Sequence, residues 1–204
     1  MATTTAIIAA AQDAADMRRR MGAAALELDA GQDRATQERW RAVAASRLPS
    51  HAWPQRLLRI PVVDARTGVP VVFDRRRGVE LVDAVAASTS NGFGVPPYEI
   101  GGECYIDGGY RRNENADLAV GYARVLVLSP FGGRSRHPAA WGMDLATQVA
   151  ELRAGGSRVE TVFPGDDAGP MMANAMDVSL RPAAARAGCD QGRALAPHLA
   201  GFWR

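Results

Sequence analysis

The residue with the clearest capacity for chemistry is Asp107, which ends the stretch Glu103-Cys104-Tyr105-Ile106 and is followed by Gly108-Gly109. A carboxylate at the C-terminal end of a strand stands where open α/β sheets place ligands and reacting groups. Gly108 and Gly109 carry no side chain to block approach, and their N–H groups can hydrogen-bond the carboxylate and hold it ionised. Held in that way, an aspartate can act as a base toward a serine hydroxyl or orient a histidine. The same three residues also suit a plain tight turn, so composition and spacing leave both readings open.

The remaining reactive side chains offer less. His51, His137 and His198 are far apart in the chain, with no HxxxH or HExxH pair. Cys104 and Cys189 make neither a disulfide framework nor a zinc spacing, so no metal and no cofactor is implied. Asp107, Glu114 and Asp117 are close in sequence but lack the spacing of a recognised cation loop. No G-x-S-x-G occurs: the segments around Ser135 and Ser157 have the serine without the second glycine, and neither leads from a buried strand into a helix.

These residues must be positioned by a chain of 204 residues that is 47% hydrophobic and 23% charged, which reads as one globular domain with a sizeable core. All 24 basic residues are arginine, but 22 acidic residues nearly balance them and the net charge is only +2, so no nucleic-acid partner is suggested. The missing lysine, alongside abundant Ala and Gly, reads as codon usage. A short apolar run near Met1 has no positive charge before it, and no apolar stretch is long enough to span a bilayer. Together with the scarce cysteines, this leads us to expect a soluble, cytoplasmic protein.

Up to about residue 50 the pattern is helical, in an Ala-rich run ending near Ala30 and a second run from Arg34 with Trp40, Val43, Ala44 and Leu48 on one face. Residues 57–64 and 69–74 then read as two strands joined through Gly68, and 79–88 as a short apolar helix. After an irregular Gly/Pro loop, Tyr98-Glu99-Ile100 and residues 103–106 form a second hairpin across Gly101-Gly102, with Asp107 just beyond it. Residues 124–130 read as a strand buried on both faces. A helix with Trp141, Leu145, Val149 and Leu152 on one stripe and a strand at 157–163 complete a βαβ unit. The last segment is a helix expected to break near Pro197. An α/β layered fold follows.

The order of these features carries a resemblance. Ala87-Ser88, the loop through Pro96-Pro97, a hairpin, Asp107-Gly108-Gly109, Asn115-Ala116-Asp117-Leu118-Ala119 and the strand from Arg124 together resemble the later part of a patatin-like phospholipase domain. The likeness runs from about residue 50 onward. It implies a three-layer fold with a central mixed, mainly parallel sheet flanked by helices, lacking its N-terminal part. The chain is then a single partial domain over 1–204, with a helical region at 1–50, a sheet core at 55–165 and a C-terminal helix at 180–204.

The resemblance implies a serine acyl hydrolase that cleaves lipid acyl esters with a Ser-Asp dyad and no histidine, the aspartate being Asp107 within the Asp107-Gly108-Gly109 motif. The serine of the G-x-S-x-G elbow and the glycine-rich oxyanion loop have no counterpart here, so the chain alone is expected to be inactive. Ser88 and Ser90 lie near Asp107 in sequence, but neither sits on an elbow with oxyanion donors beside it, and Cys104, on the strand before Asp107, reads as a half-buried structural thiol. A domain of this kind would leave the flank of strand 124–128 uncovered and would self-associate, bind a complementing fragment or be poorly stable. The alternative is a non-catalytic module that keeps the fold to bind lipid or protein.

Overall fold

In the computed structural model, residues 4–29, 34–165 and 177–204 are described. Ala30, where the first expected helix ends, lies outside them. The chain divides into two compact units, one of Met1–Asn115 with Arg136–Met143 and one of Ala116–Ser135 with Asp144–Arg204. Among the described residues no helix is long and apolar enough to cross a membrane.

The first unit contains helices α1 (Thr4–Ala10), α2 (Ala14–Asp29) and α3 (Arg34–Arg47), strands β1 (Ile60–Asp64) and β2 (Pro70–Phe73), helix α4 (Leu81–Ser88), and strands β3 (Tyr98–Ile100) and β4 (Glu103–Asp107). Both expected hairpins form. In the first, Asp64 Oδ1 accepts from the N–H groups of Arg66 and Thr67, and Gly68 takes the left-handed conformation at φ 71°. In the second, Gly101 and Gly102 stand at φ 62° and 86°, so both central residues of the two-residue turn have the positive φ that a type I′ hairpin requires.

The two hairpins join through β1 and β4, with Val62 opposite Asp107 and Val63 opposite Ile106, giving the order β2-β1-β4-β3. Every pairing in this sheet is antiparallel, which corrects the expectation of a mainly parallel sheet. Within each hairpin a short turn can only return the chain antiparallel, whereas a parallel neighbour needs a long crossover; the β1–β4 pairing that joins the hairpins is not set by a turn.

Helices cover both faces of this sheet. Val62 and Val63 are consecutive and both fully buried, which a strand achieves only by packing on either side. On one side Ile60, Val62, Phe73 and Tyr98 meet Leu81, Val82, Ala84, Ala86 and Ala87 of α4. On the other, Val63, Ala65 and Ile106 meet Met17, Met21 and Ala25, spaced four apart on one stripe of α2. α3 fastens α4 from outside: Trp40 Nε1 donates to the Ala86 carbonyl at 3.0 Å, and Arg41 pairs with Asp83 at 2.7 Å and with Glu80. The Tyr98 hydroxyl donates to the same Asp83 carboxylate at 2.7 Å, and burial, then that bond, pushes the phenol pKa up.

The second unit holds β5 (Arg124–Leu128), α5 (Leu145–Ala154), β6 (Arg158–Val162) and α6 (Arg181–Trp203). β5 and β6 run parallel, as the expected βαβ unit requires, with Arg124 opposite Arg158 and Leu128 opposite Val162. Asp144 caps α5 by accepting from Thr147 N–H at 2.8 Å, and Leu145, Val149 and Leu152 cover Val125, Val127 and Val159.

Three expectations change here. β5 is buried on one face, not two: Val125 and Val127 are covered, Leu126 is half-buried and Leu128 is 66% exposed. The strand belongs to a two-stranded sheet that α5 covers on one side. Trp141 belongs to a short 3₁₀ turn, Ala139–Trp141, that ends at Gly142 in the left-handed conformation, so it does not extend the stripe of α5. Finally, α6 continues through Pro197. Pro197 and Arg193, whose carbonyl loses its helical partner, are both exposed, so water can satisfy that carbonyl.

Candidate active site

Asp107 is the last residue of β4, and its own N–H donates to the Ser90 carbonyl at 2.8 Å. The chain then tightens into a 3₁₀ turn, Gly108–Tyr110, which Asp107 caps by accepting from Gly109 N–H at 2.7 Å. The residue is therefore both a turn cap and a carboxyl held in place. The two glycines serve it differently. A Cβ on Gly108 would lie 2.1 Å from the Pro61 carbonyl oxygen, so only glycine lets β1 and the turn approach this closely. A Cβ on Gly109 would lie 3.1 Å from Asp107 Oδ1 and crowd the carboxylate itself.

Gly109 supplies the hydrogen bond expected to hold the carboxylate ionised, but burial acts more strongly. Burial pushes the Asp107 pKa above its ordinary value, and the Gly109 N–H only partly opposes the rise. Its neighbour Tyr110 donates its hydroxyl to the Asn91 carbonyl at 2.8 Å. Burial, then the charge of Asp107, pushes that phenol up to about 12 against the pull of Arg136. Burial and Arg136 together lower His137.

Neither nearby serine presents its hydroxyl to Asp107. Ser88 Oγ donates to the Pro61 carbonyl at 2.7 Å, and Ser90 Oγ, fully buried, donates to the Ala86 carbonyl at 2.9 Å. The backbone of Ser90 touches Asp107, while its hydroxyl turns back to close the end of α4. Ser88 is the last residue of α4 and Ser90 lies two residues past it, where an elbow would follow a strand. Cys104 packs among the residues facing α2, and strand alternation puts it on the opposite face from Asp107. Among the described residues no three His, Cys, Asp or Glu side chains gather to hold a metal ion.

Two asparagines shape the site in ways the sequence does not state, Asn115 having entered only as the first residue of the stretch 115–119. Asn91 Oδ1 accepts from the N–H groups of Phe93, Gly94 and Val95 at 2.9, 2.8 and 3.1 Å and so organises a loop that the Gly/Pro content marked only as irregular. Asn115 closes the far end of the Asp-Gly-Gly turn. The available signal was the preference of Asn for turns and for the left-handed region, which names candidates without saying what they hold.

Burial of Asp107 sets a pH-dependent stability. Its pKa is higher folded than unfolded, so the folded state binds more protons and stability falls as pH rises from the ordinary carboxylate range through the raised folded value. Asp107→Asn, which keeps an acceptor for Gly109, is therefore expected to raise the melting temperature at pH 7. The gain should vanish below the unfolded carboxylate pKa. Melting curves of both proteins from pH 3 to 8 check this, and an increment independent of pH would contradict it.

No curated protein matches the chain. A family model described as patatin-like phospholipase matches residues 2–120. The match takes in the N-terminal helices, ahead of residue 50 where the resemblance was expected to begin, and both hairpins through Asp107-Gly108-Gly109. It stops before β5, so the likeness expected for the βαβ segment lies outside it. With more than half of the chain covered, and with the covered part including the turn built on Asp107, this chain belongs to the patatin-like phospholipase family.

Proposed function

We propose that Asp107 is the base of a Ser-Asp dyad in a serine acyl hydrolase acting on lipid or other acyl esters. The serine would come from a segment that these 204 residues do not include. On this reading the chain is one partial, three-layer patatin-like domain of a cytoplasmic protein, and by itself it does not hydrolyse esters. One observation carries the proposal: a half-buried carboxyl with a raised pKa is held at the end of β4 while both adjacent serine hydroxyls are committed to backbone carbonyls. A base in a water-poor site is a stronger proton acceptor than a solvated aspartate.

The exposed Leu128, Phe131 and Phe163 of the second unit favour a further role in self-association or in docking a complementing fragment. They are also what supports the second reading, a module that binds lipid or protein without catalysis.

The test is hydrolysis of p-nitrophenyl acyl esters. The 204-residue chain is expected to stay at background. An extended or complemented form carrying a G-x-S-x-G segment should be active and lose about 10²–10⁴-fold on Asp107→Asn, the usual worth of a general base. Hydrolysis by the chain alone that disappears with Asp107→Asn would overturn the proposal and return Ser88 or Ser90 as nucleophile. Full activity of the extended Asp107→Asn form would remove Asp107 from the chemistry.

A further inference from the structure

Among the described residues Asn115 is the only non-glycine with a positive φ, at 54°. The left-handed region is costly for most side chains and persists where surrounding bonds hold it. Here the bonds return to the turn that follows Asp107. Asn115 Nδ2 donates to the Gly108 carbonyl at 3.0 Å and to the Asn113 carbonyl at 3.0 Å, while Oδ1 accepts from Arg111 at 2.9 Å.

The Gly108 carbonyl and the Gly109 N–H are the two ends of one peptide group. A trans peptide is planar, with its C=O and N–H pointing in opposite directions. Fixing the oxygen therefore aims the hydrogen. With glycine on both sides, this peptide has more rotational freedom than any other pair of residues would allow. The Arg111 N–H, bonded to the Gly108 carbonyl at 3.1 Å, holds it through a local turn bond, and Asn115 adds the side-chain anchor.

We propose that Asn115 is a positioning residue for Asp107: by holding the Gly108 carbonyl it locks the Gly108-Gly109 peptide with its N–H directed at the Asp107 carboxylate. The catalytic meaning of this rests on the reading of Asp107 as the dyad base. The steering of the carboxylate does not. The groups that bear on Asp107 are the Gly109 N–H and the neighbouring Tyr110, whose phenol remains neutral across the carboxylate range.

Asn115→Gly isolates the effect, since glycine accepts φ 54° without strain while removing the amide. In the 204-residue protein, NMR titration of the Asp107 carboxyl is expected to move upward by about one pH unit in Asn115→Gly, because a donor to the charged form is weakened. Hydrogen exchange at the Gly109 amide is expected to speed up about tenfold as the bond to Asp107 opens more often. Asn115→Ala, which also strains the backbone, should show the same titration shift with a larger loss of melting temperature.

A folded Asn115→Gly protein with the Asp107 midpoint and Gly109 exchange unchanged would overturn the inference. In the extended, active form, Asn115→Gly is expected to shift the acid limb of the pH–rate profile by the same amount. An unshifted limb there, with Asp107→Asn still inactivating, would defeat the positioning role and leave the dyad reading intact. Full activity of Asp107→Asn would defeat the dyad reading instead.

Discussion

Gly108→Ala is expected to cost the fold roughly 3 kcal/mol or more, well above the usual effect of a single added methyl group. The new Cβ would stand 2.1 Å from the Pro61 oxygen, 2.7 Å from its carbonyl carbon and 2.9 Å from its ring, and the first two are backbone atoms that cannot rotate aside. Pro61 is paired with Val72 in β1, and its carbonyl receives the Ser88 hydroxyl, so relief requires moving β1, the end of α4 or the turn. Each of these holds Asp107 or a residue bonded to it. Urea unfolding should show a lower midpoint than Gly109→Ala, whose Cβ meets only the side chain of Asp107 at 3.1 Å. Equal midpoints for the two variants would mean that β1 and the turn separate freely.

Gly22→Ala is the second large effect, and helix propensity predicts it with the wrong sign. Alanine in the interior of a helix such as α2 is ordinarily better than glycine by about 1 kcal/mol. At Gly22 the added Cβ would lie 2.0 Å from the Ala65 carbonyl oxygen and under 3 Å from two more of its backbone atoms, because α2 rests there directly on the end of β1. We expect a net loss of roughly 3 kcal/mol or more, from overpacking against backbone. Gly192 and Gly201 of α6 are the controls, since a Cβ at either meets nothing within 4 Å. Alanine there should follow propensity and stabilise the helix by roughly 0.5–1 kcal/mol. Thermal melts of the three variants suffice, and a stabilised Gly22→Ala protein would show that α2 can lift from the sheet.

The elements with local causes could be read from the chain. Gly68 and Gly101-Gly102 announced both hairpins, and the Ala-rich run forms the helix expected of it, with Met17, Met21 and Ala25 as its buried stripe. What could not be read depends on which segments meet. An apolar run such as Arg124–Leu128 has the same sequence whether one face or both are covered, and only its neighbours decide. The direction of the first sheet was assigned through resemblance, although the short turns already implied antiparallel pairing within each hairpin; the antiparallel join of β1 to β4 depends on which strands meet. At the site, Asp107 and its glycines stood out by type and spacing, whereas the hydroxyl directions of Ser88 and Ser90 depend on carbonyls of Pro61 and Ala86 supplied by packing. Asn115 was legible only as the first residue of the stretch 115–119, because its part at the site is defined by the Gly108 oxygen seven residues earlier.

The raised pKa of Asp107 also bears on how this position evolves. On the proposed reading of Asp107 as the dyad base, a side chain that weakens its own fold at neutral pH is kept for its chemistry and not for stability. Once a descendant no longer hydrolyses esters, drift from Asp to Asn at residue 107 is favoured by stability alone. If that proposed role is right, the codon at this one position, compared among related genes, would record which of them still work as enzymes.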